Sequence, residues 1–274
     1  MSKVNILPPL AAVLFLAASC GGQQSTTATV APKFEVFVKK NFEKHPKGAA
    51  ANDGFSYEVE LVYPSVYGDQ AVLETLQRRF VGYTLGDRLV VMTPEEAMDT
   101  YIAAWRQAYY DNIEEMQNAN ADPDFVTGWH LACSNAVIFI NDALLQLVTM
   151  ESLYPAASQA YENITYHLFN LQTGNEYRRD DIFKPEAADD IRQLITAELL
   201  KQWNIPSLDE WGIETERLWT PESNFAVTLK GIAFLYKDDH FTSDPFTIPY
   251  TTIEPYLRQE TPVWKVADGK LILK

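Results

Sequence analysis

Thr93-Pro94-Glu95-Glu96 constrains this chain more than any other stretch. A threonine three residues ahead of a glutamate satisfies two free N–H groups of a helix start reciprocally. Proline at the first helical position has its φ already set and lacks only a donor the helix would not use. Behind this box Met98, Tyr101, Ile102, Trp105, Tyr109, Ile113 and Met116 recur at helical spacing, and Asn118 to Asp124 ends the run. A long amphipathic helix of this kind must lay its apolar stripe on a broad partner.

The partner is written in strands. Phe34 to Lys40 is β-branched and aromatic, and Phe55 to Leu61 alternates apolar with polar. Tyr63-Pro64 to Gly68 reads as the break that follows, and Asp69 as the N-cap of a helix with Val72, Leu73, Leu76 and Phe80 on one face. Beyond Trp129 the texture turns β-rich. Ala136 to Ile140 is a strand, Asn141-Asp142 a turn pair, and Ala143 to Met150 the return arm of a hairpin, although its composition also suits a helix. Ile164 to Leu171 is a strand closed by Thr173-Gly174-Asn175. A second helix follows Pro185, with Ile191, Leu194, Ile195, Leu199 and Trp203 inward. Asn224 to Tyr236 is a hairpin turning at Lys230-Gly231, with Phe225, Val227 and Leu229 alternating on its first arm. Trp264 to Leu273 reads as another, turning at Asp268-Gly269. Strands and helices in mixed runs predict an α+β fold, antiparallel sheets with hairpins packed by a few helices.

The amino terminus has a different texture. Lys3 is followed by an apolar run from Leu10 to Ala18, then Ser19-Cys20-Gly21-Gly22. A basic start, a short apolar core and small residues make a signal peptide over 1–19, too short to span a hydrocarbon core that takes about 20 residues. Cysteine directly after the small residues resembles the lipobox of bacterial lipoproteins, with Leu16 one position further back than the usual pattern. That resemblance implies cleavage before Cys20 and acylation of Cys20, so the partner at this end is the membrane, reached through the acyl anchor. Residues 20–32 are small and polar and read as a tether. No acidic cluster follows Cys20, which favours a periplasm-facing protein of a Gram-negative envelope. The remaining chain divides into an N-terminal α+β part over 33–125 and a C-terminal α+β part over 126–274.

The formal net charge of −15 excludes nucleic acid as a partner, since phosphates would be repelled. It leaves either self-repulsion that keeps an envelope protein apart from its neighbours, or a basic partner. The cysteines are Cys20 and Cys133. With Cys20 acylated, Cys133 has no partner in the chain, and its apolar setting predicts a small buried thiol.

The C-terminal half resembles the RsiV-type domain of envelope proteins. Phe169-Asn170-Leu171-Gln172-Thr173-Gly174 is similar to that family's strand-and-turn element, with Asp181-Ile182-Phe183 behind it. Asn224-Phe225 through Tyr236, and Phe246-Thr247-Ile248-Pro249-Tyr250 with Ile253 to Leu257, follow in the family's order. The first half, with Tyr63 to Gly68 and its helix, resembles the companion domain. The resemblance implies a compact α+β ectodomain that binds a ligand, lysozyme in the best understood relatives. Where that family often carries Gly-Gly-Ala-His, this chain reads Tyr154 to Tyr161 without a glycine pair or histidine, so no function tied to that loop is carried over.

No chemistry-bearing motif accompanies these features. His45, His130, His167 and His240 have no spacing suited to a metal. Asp238-Asp239-His240 is the one mixed donor cluster, and adjacent residues rarely converge on one ion. Asp180-Asp181 and Asp189-Asp190 suit helix starts. No nucleophile elbow, phosphate loop or dinucleotide fingerprint occurs. Tyr109, Tyr110, Trp211 and Trp219 fall near loops or helix ends and would suit glycan stacking or a protein hot spot if exposed. The expectation is therefore a lipid-anchored, non-enzymatic envelope protein with no catalytic residue, metal or cofactor, binding a protein or peptidoglycan ligand. The alternatives are a muramidase binder with acidic residues gathered on one face, and a hydrolase with two carboxylates facing across a cleft.

Overall fold

The computed structural model describes residues 31–120, 124–155, 161–220, 224–237 and 243–267. Among them six strands form one sheet in chain order: β1 (Lys33–Lys44), β2 (Gly54–Val66), β3 (Trp129–Ile140), β4 (Leu144–Pro155), β5 (Tyr161–Asn170) and β6 (Glu176–Tyr177). All neighbours are antiparallel except β2 and β3, which run parallel over Phe55–Glu60 and Trp129–Ser134. A parallel pair needs a crossover. It is made by α1 (Gln70–Leu85) and α2 (Pro94–Asn120), so the expected division at 125/126 falls between two strands that are neighbours in one sheet.

Both helices start as their sequences dictate. Asp69 Oδ1 accepts the Ala71 and Val72 N–H groups, and Glu96 reaches back to the Thr93 N–H while Thr93 caps Glu96. α1 buries Val72, Leu73, Leu76 and Phe80 against Leu145, Leu147 and Phe169. α2 buries Met98, Tyr101, Ile102, Tyr109 and Ile113 against Phe55, Val59, Leu61, Leu131 and Cys133. α2 is also held to β1 by charge: Arg106 grips Glu43 with two bonds of 2.8 and 2.5 Å, and Lys39 pairs with Asp99.

The opposite face of the sheet carries a third layer. α3 (Arg179–Ile182), α4 (Ala188–Trp203), a small sheet of β7 (Asn224–Val227), β8 (Gly231–Leu235) and β9 (Phe246–Pro249), and the short helices α5 (Tyr250–Ile253) and α6 (Pro262–Ala267) pack around Phe139, Leu144 and Leu168. Leu145 and Leu147 therefore meet α1 while Leu144 faces the third layer. With both faces covered, Leu144 to Thr149 are all buried. This is why Leu144, Leu145, Leu147 and Val148 do not alternate with exposed residues, and why the polar Gln146 and Thr149 among them are buried too.

Three amide side chains make backbone joins beyond the ladders. Where the β2–β3 ladder ends, Asn135 Oδ1 accepts the Val62 N–H at 2.6 Å and its Nδ2 donates to Val62 O at 3.1 Å. Gln146 Oε1 accepts the Val227 N–H at 3.0 Å. Asn224 accepts the Tyr166 N–H at 2.8 Å and donates to Ile164 O at 2.7 Å, closing the edge of β5.

Three expectations are corrected. β2 does not break at Tyr63-Pro64. Pro64 lies two residues past Val62, with its missing N–H on the edge away from β1, so no β1–β2 bond is lost, and its carbonyl accepts Gln77 Nε2. Leu229 does not continue β7 but stands 65% exposed in the turn, because Thr228 Oγ1 accepts the Lys230 and Gly231 N–H groups and ends the strand early. Trp264 to Ala267 is helical, not the arm of a hairpin: Thr261 Oγ1 caps the Trp264 N–H ahead of Pro262. Residues 268–273 of that expected hairpin lie outside the described residues.

Candidate functional site

A cleft of about 430 Å³ opens where the edge of β5 meets the small sheet. Asn163 and Thr165 come from β5, Arg217 from the 3-10 turn Thr215–Leu218, and Lys237 from the end of β8, with Phe234 and Phe246 as apolar floor. The two floor rings stack at 6.0 Å. Lys237 Nζ lies 5.0 Å from the centre of the Tyr161 ring and bonds Glu162 O. Among the described lining residues there are two cations and no carboxylate, in a chain whose net charge is −15, and just outside the lining Glu214 Oε2 lies 3.8 Å from Arg217 Nε. A site of this size, with amide, hydroxyl and cationic side chains around an aromatic floor, suits a small polar ligand or one segment of a polymer.

The histidines are structural where they are described. His45 packs on Tyr110 with ring centres 5.6 Å apart. His130 Nδ1 lies 2.9 Å from Ser56 Oγ, and burial lowers its pKa. His167 is stacked on Tyr83 at 3.8 Å and lies 2.8 Å from Glu176 Oε1, while Tyr83 Oη donates to Glu176 Oε2 at 2.6 Å and accepts from Arg79 at 3.3 Å. Burial, with Glu176 beside it, pushes the Tyr83 hydroxyl up to about 12. Burial alone would raise Glu176 as well, but the bonds from His167 and Tyr83 outweigh it and hold the carboxyl below its ordinary 4.5.

That sign sets a prediction. A carboxyl with a depressed folded pKa contributes stability above its unfolded value, and the contribution is lost as pH falls through the folded one. Glu176→Gln is expected to flatten the stability–pH profile below 4.5, with the unfolding free energy at neutral pH lowered by about 1–3 kcal/mol. Urea melts of both proteins from pH 7 to pH 3 check it; parallel profiles would refute it.

Cys133 is a buried free thiol, bonded to Thr84 O at 3.1 Å and pushed up to about 12 by burial. Asp180 pairs with Arg179, Asp181 Oδ2 accepts the Arg178 N–H, and Asp189 pairs with Arg192, so these acids serve helix starts and their neighbours. Tyr109 is buried on α2 and Trp219 between Phe183 and Phe225, and neither reaches solvent as a platform; Tyr110 is half-buried. Cys20, Asp238-Asp239-His240 and the side chain of Trp211 lie outside the described residues. Among the described residues no group of His, Cys, Asp and Glu could hold a metal ion. In the sequence Asn163 and Thr165 stand out only as the ends of Asn163-Ile164-Thr165, a glycosylation-acceptor pattern that says nothing of a cleft, and Arg217 and Lys237 carry no motif.

No family model matches the chain, and no curated protein matches it. Solved structures do. A member of the DUF3298 family from Bacteroides fragilis NCTC 9343 superposes with a TM-score of 0.71 at 17% identity, covering 87% of this chain and 98% of that one. A DUF3298 family protein from Pseudomonas aeruginosa PAO1 gives 0.54 at 13% identity, covering 85% and 96%. The chain thus has the α+β fold of these DUF3298 proteins, a likeness of fold over nearly their whole length.

Proposed function

We propose that this chain is a lipid-anchored, non-enzymatic envelope protein of the RsiV-like kind that binds an anionic cell-wall glycan in the cleft between β5 and the small sheet. The observation that carries this reading is the cationic cleft in an acidic chain, Arg217 and Lys237 beside the hydroxyl and amide of Thr165 and Asn163. Peptidoglycan strands carry free carboxylates on their peptide stems, and charge-assisted bonds from guanidinium and ammonium groups select for them. The acyl anchor at Cys20 would hold the cleft beside such a polymer.

The muramidase alternative asks for acidic residues gathered on one face. Glu95, Glu114 and Glu115 lie exposed on α2, on one side of the large sheet; Asp189 and Asp190 lie on α4, on the other. Glu96, Asp99 and Asp111 are also exposed on α2, so its side of the sheet is the more acidic, and the lysozyme arm of the test below decides between the two readings.

Co-sedimentation of the full-length chain in mild detergent with purified cell-wall sacculi tests the proposal. Saturable binding is expected, weakened about tenfold or more in Arg217→Ala/Lys237→Ala, as follows from about 1.5–3 kcal/mol per charged hydrogen bond. No saturable binding, or binding indifferent to the double variant, overturns it. Saturable binding to lysozyme but not to an equally basic control protein would point to the muramidase alternative instead.

A further inference from the structure

Among the described residues β1 is the outermost strand of the large sheet, and its twelve residues have β2 on one side and no strand on the other. The direction of its free backbone groups follows from Asn135. Val62 gives its N–H and carbonyl to that side chain, away from β1, so its partner Val36 sits in a non-hydrogen-bonded pair. The N–H and carbonyl groups of Val36, Val38 and Lys40 therefore point out from the free edge. Their register with β2 is regular from Phe34 to Lys44, so no bulge twists this edge away. The side chains are as unusual as the backbone: Val36 is 45% and Val38 59% exposed, on the face opposite α2.

An open, regular edge of this length is a template for another strand. We propose that β1 pairs antiparallel with β1 of a second copy of this chain, about a two-fold axis through Phe37. In this register Val36 lies opposite the partner's Val38, and Val38 opposite the partner's Val36, so each exposed valine gains an apolar cross-strand neighbour. Glu35 lies opposite the partner's Lys39, twice by symmetry, joining the Lys39–Asp99 pair into a longer charge row. Neighbouring registers lose the charge match: centred on Val36, the strand keeps apolar pairs but sets Lys33 against the partner's Lys39. Centred on Lys39, the strand sets Glu35 against the partner's Glu43 and Lys39 against the partner's Lys39. Centred on Val38, it sets Val36 against the partner's Lys40. The free N–H and carbonyl groups of Val36 and Val38 supply the ladder, and the two six-stranded sheets become one.

The register makes a test that no loose association passes. Residues 35 and 39 form a non-hydrogen-bonded pair across the axis, with Cα atoms about 4.5 Å apart, within disulfide range. Residue 35 lies about 14 Å from residue 35 of the other copy, out of range, at about 3.4 Å per residue along the strand and about 4.7 Å across. Two differently tagged full-length copies, Glu35→Cys and Lys39→Cys, are co-expressed and their membranes oxidised mildly. The mixed disulfide dimer is expected from the pair, with neither variant cross-linking to itself. Charge reversal gives the second measurement by sedimentation in detergent. Glu35→Lys and Lys39→Glu are each expected to shift to monomer, and their mixture to recover the dimer, because every cross-axis pair is then again of opposite sign. A monomeric wild type, as when another segment of the same chain covers β1, overturns the proposal. So does self-cross-linking of Glu35→Cys equal to the mixed yield, or a dimer that the charge reversals leave unchanged.

Discussion

Phe183→Ala is expected to cost about 3–5 kcal/mol of folding stability, the range for a phenylalanine cut from a close-packed core. The ring is 2% exposed and meets two others edge to face, Trp219 at 4.9 Å and Phe225 at 5.3 Å. Such pairs add about 0.5–1.5 kcal/mol each beyond the area they bury. The residue also sits at a seam. Its backbone bridges to Leu257, and its carbonyl accepts Arg258 Nε at 3.1 Å, so the ring fills the space beside the point where the chain's last described turn returns to α3. Alanine keeps those backbone bonds and removes the ring, leaving a cavity that the two flanking aromatics cannot both close. Urea denaturation measures it, with Phe42→Ala as the control: that ring is 44% exposed on β1 and its loss is expected to cost well under half as much. Equal costs for the two variants, or a cost for Phe183→Ala under about 1 kcal/mol, would show that the third layer is not packed as described.

Cys20→Ser is expected to remove membrane attachment altogether, and it tests the anchor independently of the cleft. Each buried methylene of an acyl chain contributes about 0.8 kcal/mol to membrane binding, and a protein held by several chains loses them together when the one acylated residue is replaced. Among the described residues no helix is long and apolar enough to cross a membrane. The variant should take up no labelled fatty acid and should leave the membrane fraction or keep its signal segment. Labelled fatty acid in the variant, or undiminished attachment of a processed chain, would refute lipidation at this residue.

What the sequence disclosed was what neighbours in sequence decide. The caps at Asp69 and Thr93 act within three residues of themselves, so both helices were legible from their first turns. The same signal, a threonine before a proline, stands at Thr261-Pro262, where the Asp268-Gly269 pair pulled the reading toward a hairpin. Β-rich segments were legible as strands, but not where they meet. Asn135, Gln146 and Asn224 each bond a backbone more than fifty residues away, and nothing local marks them as joints. The cleft was hidden for the same reason. Arg217 lies in a short turn and Lys237 at a strand end, and only the docking of the small sheet on β5 brings them to one opening.

The parallel pairing of β2 with β3 has a consequence in time. Chains are made from the amino end, and segments can fold as they arrive. β1 and β2 can form their hairpin at once, but the inner edge of β2 from Phe55 to Glu60 finds its neighbour only when Trp129 to Ser134 have followed. Throughout that interval the nascent chain carries an open strand whose apolar side is shielded by α1 and α2 alone. The two helices are the next segments to emerge and can cover the apolar face of β2 before β3 exists, while its edge waits for Trp129 to Ser134.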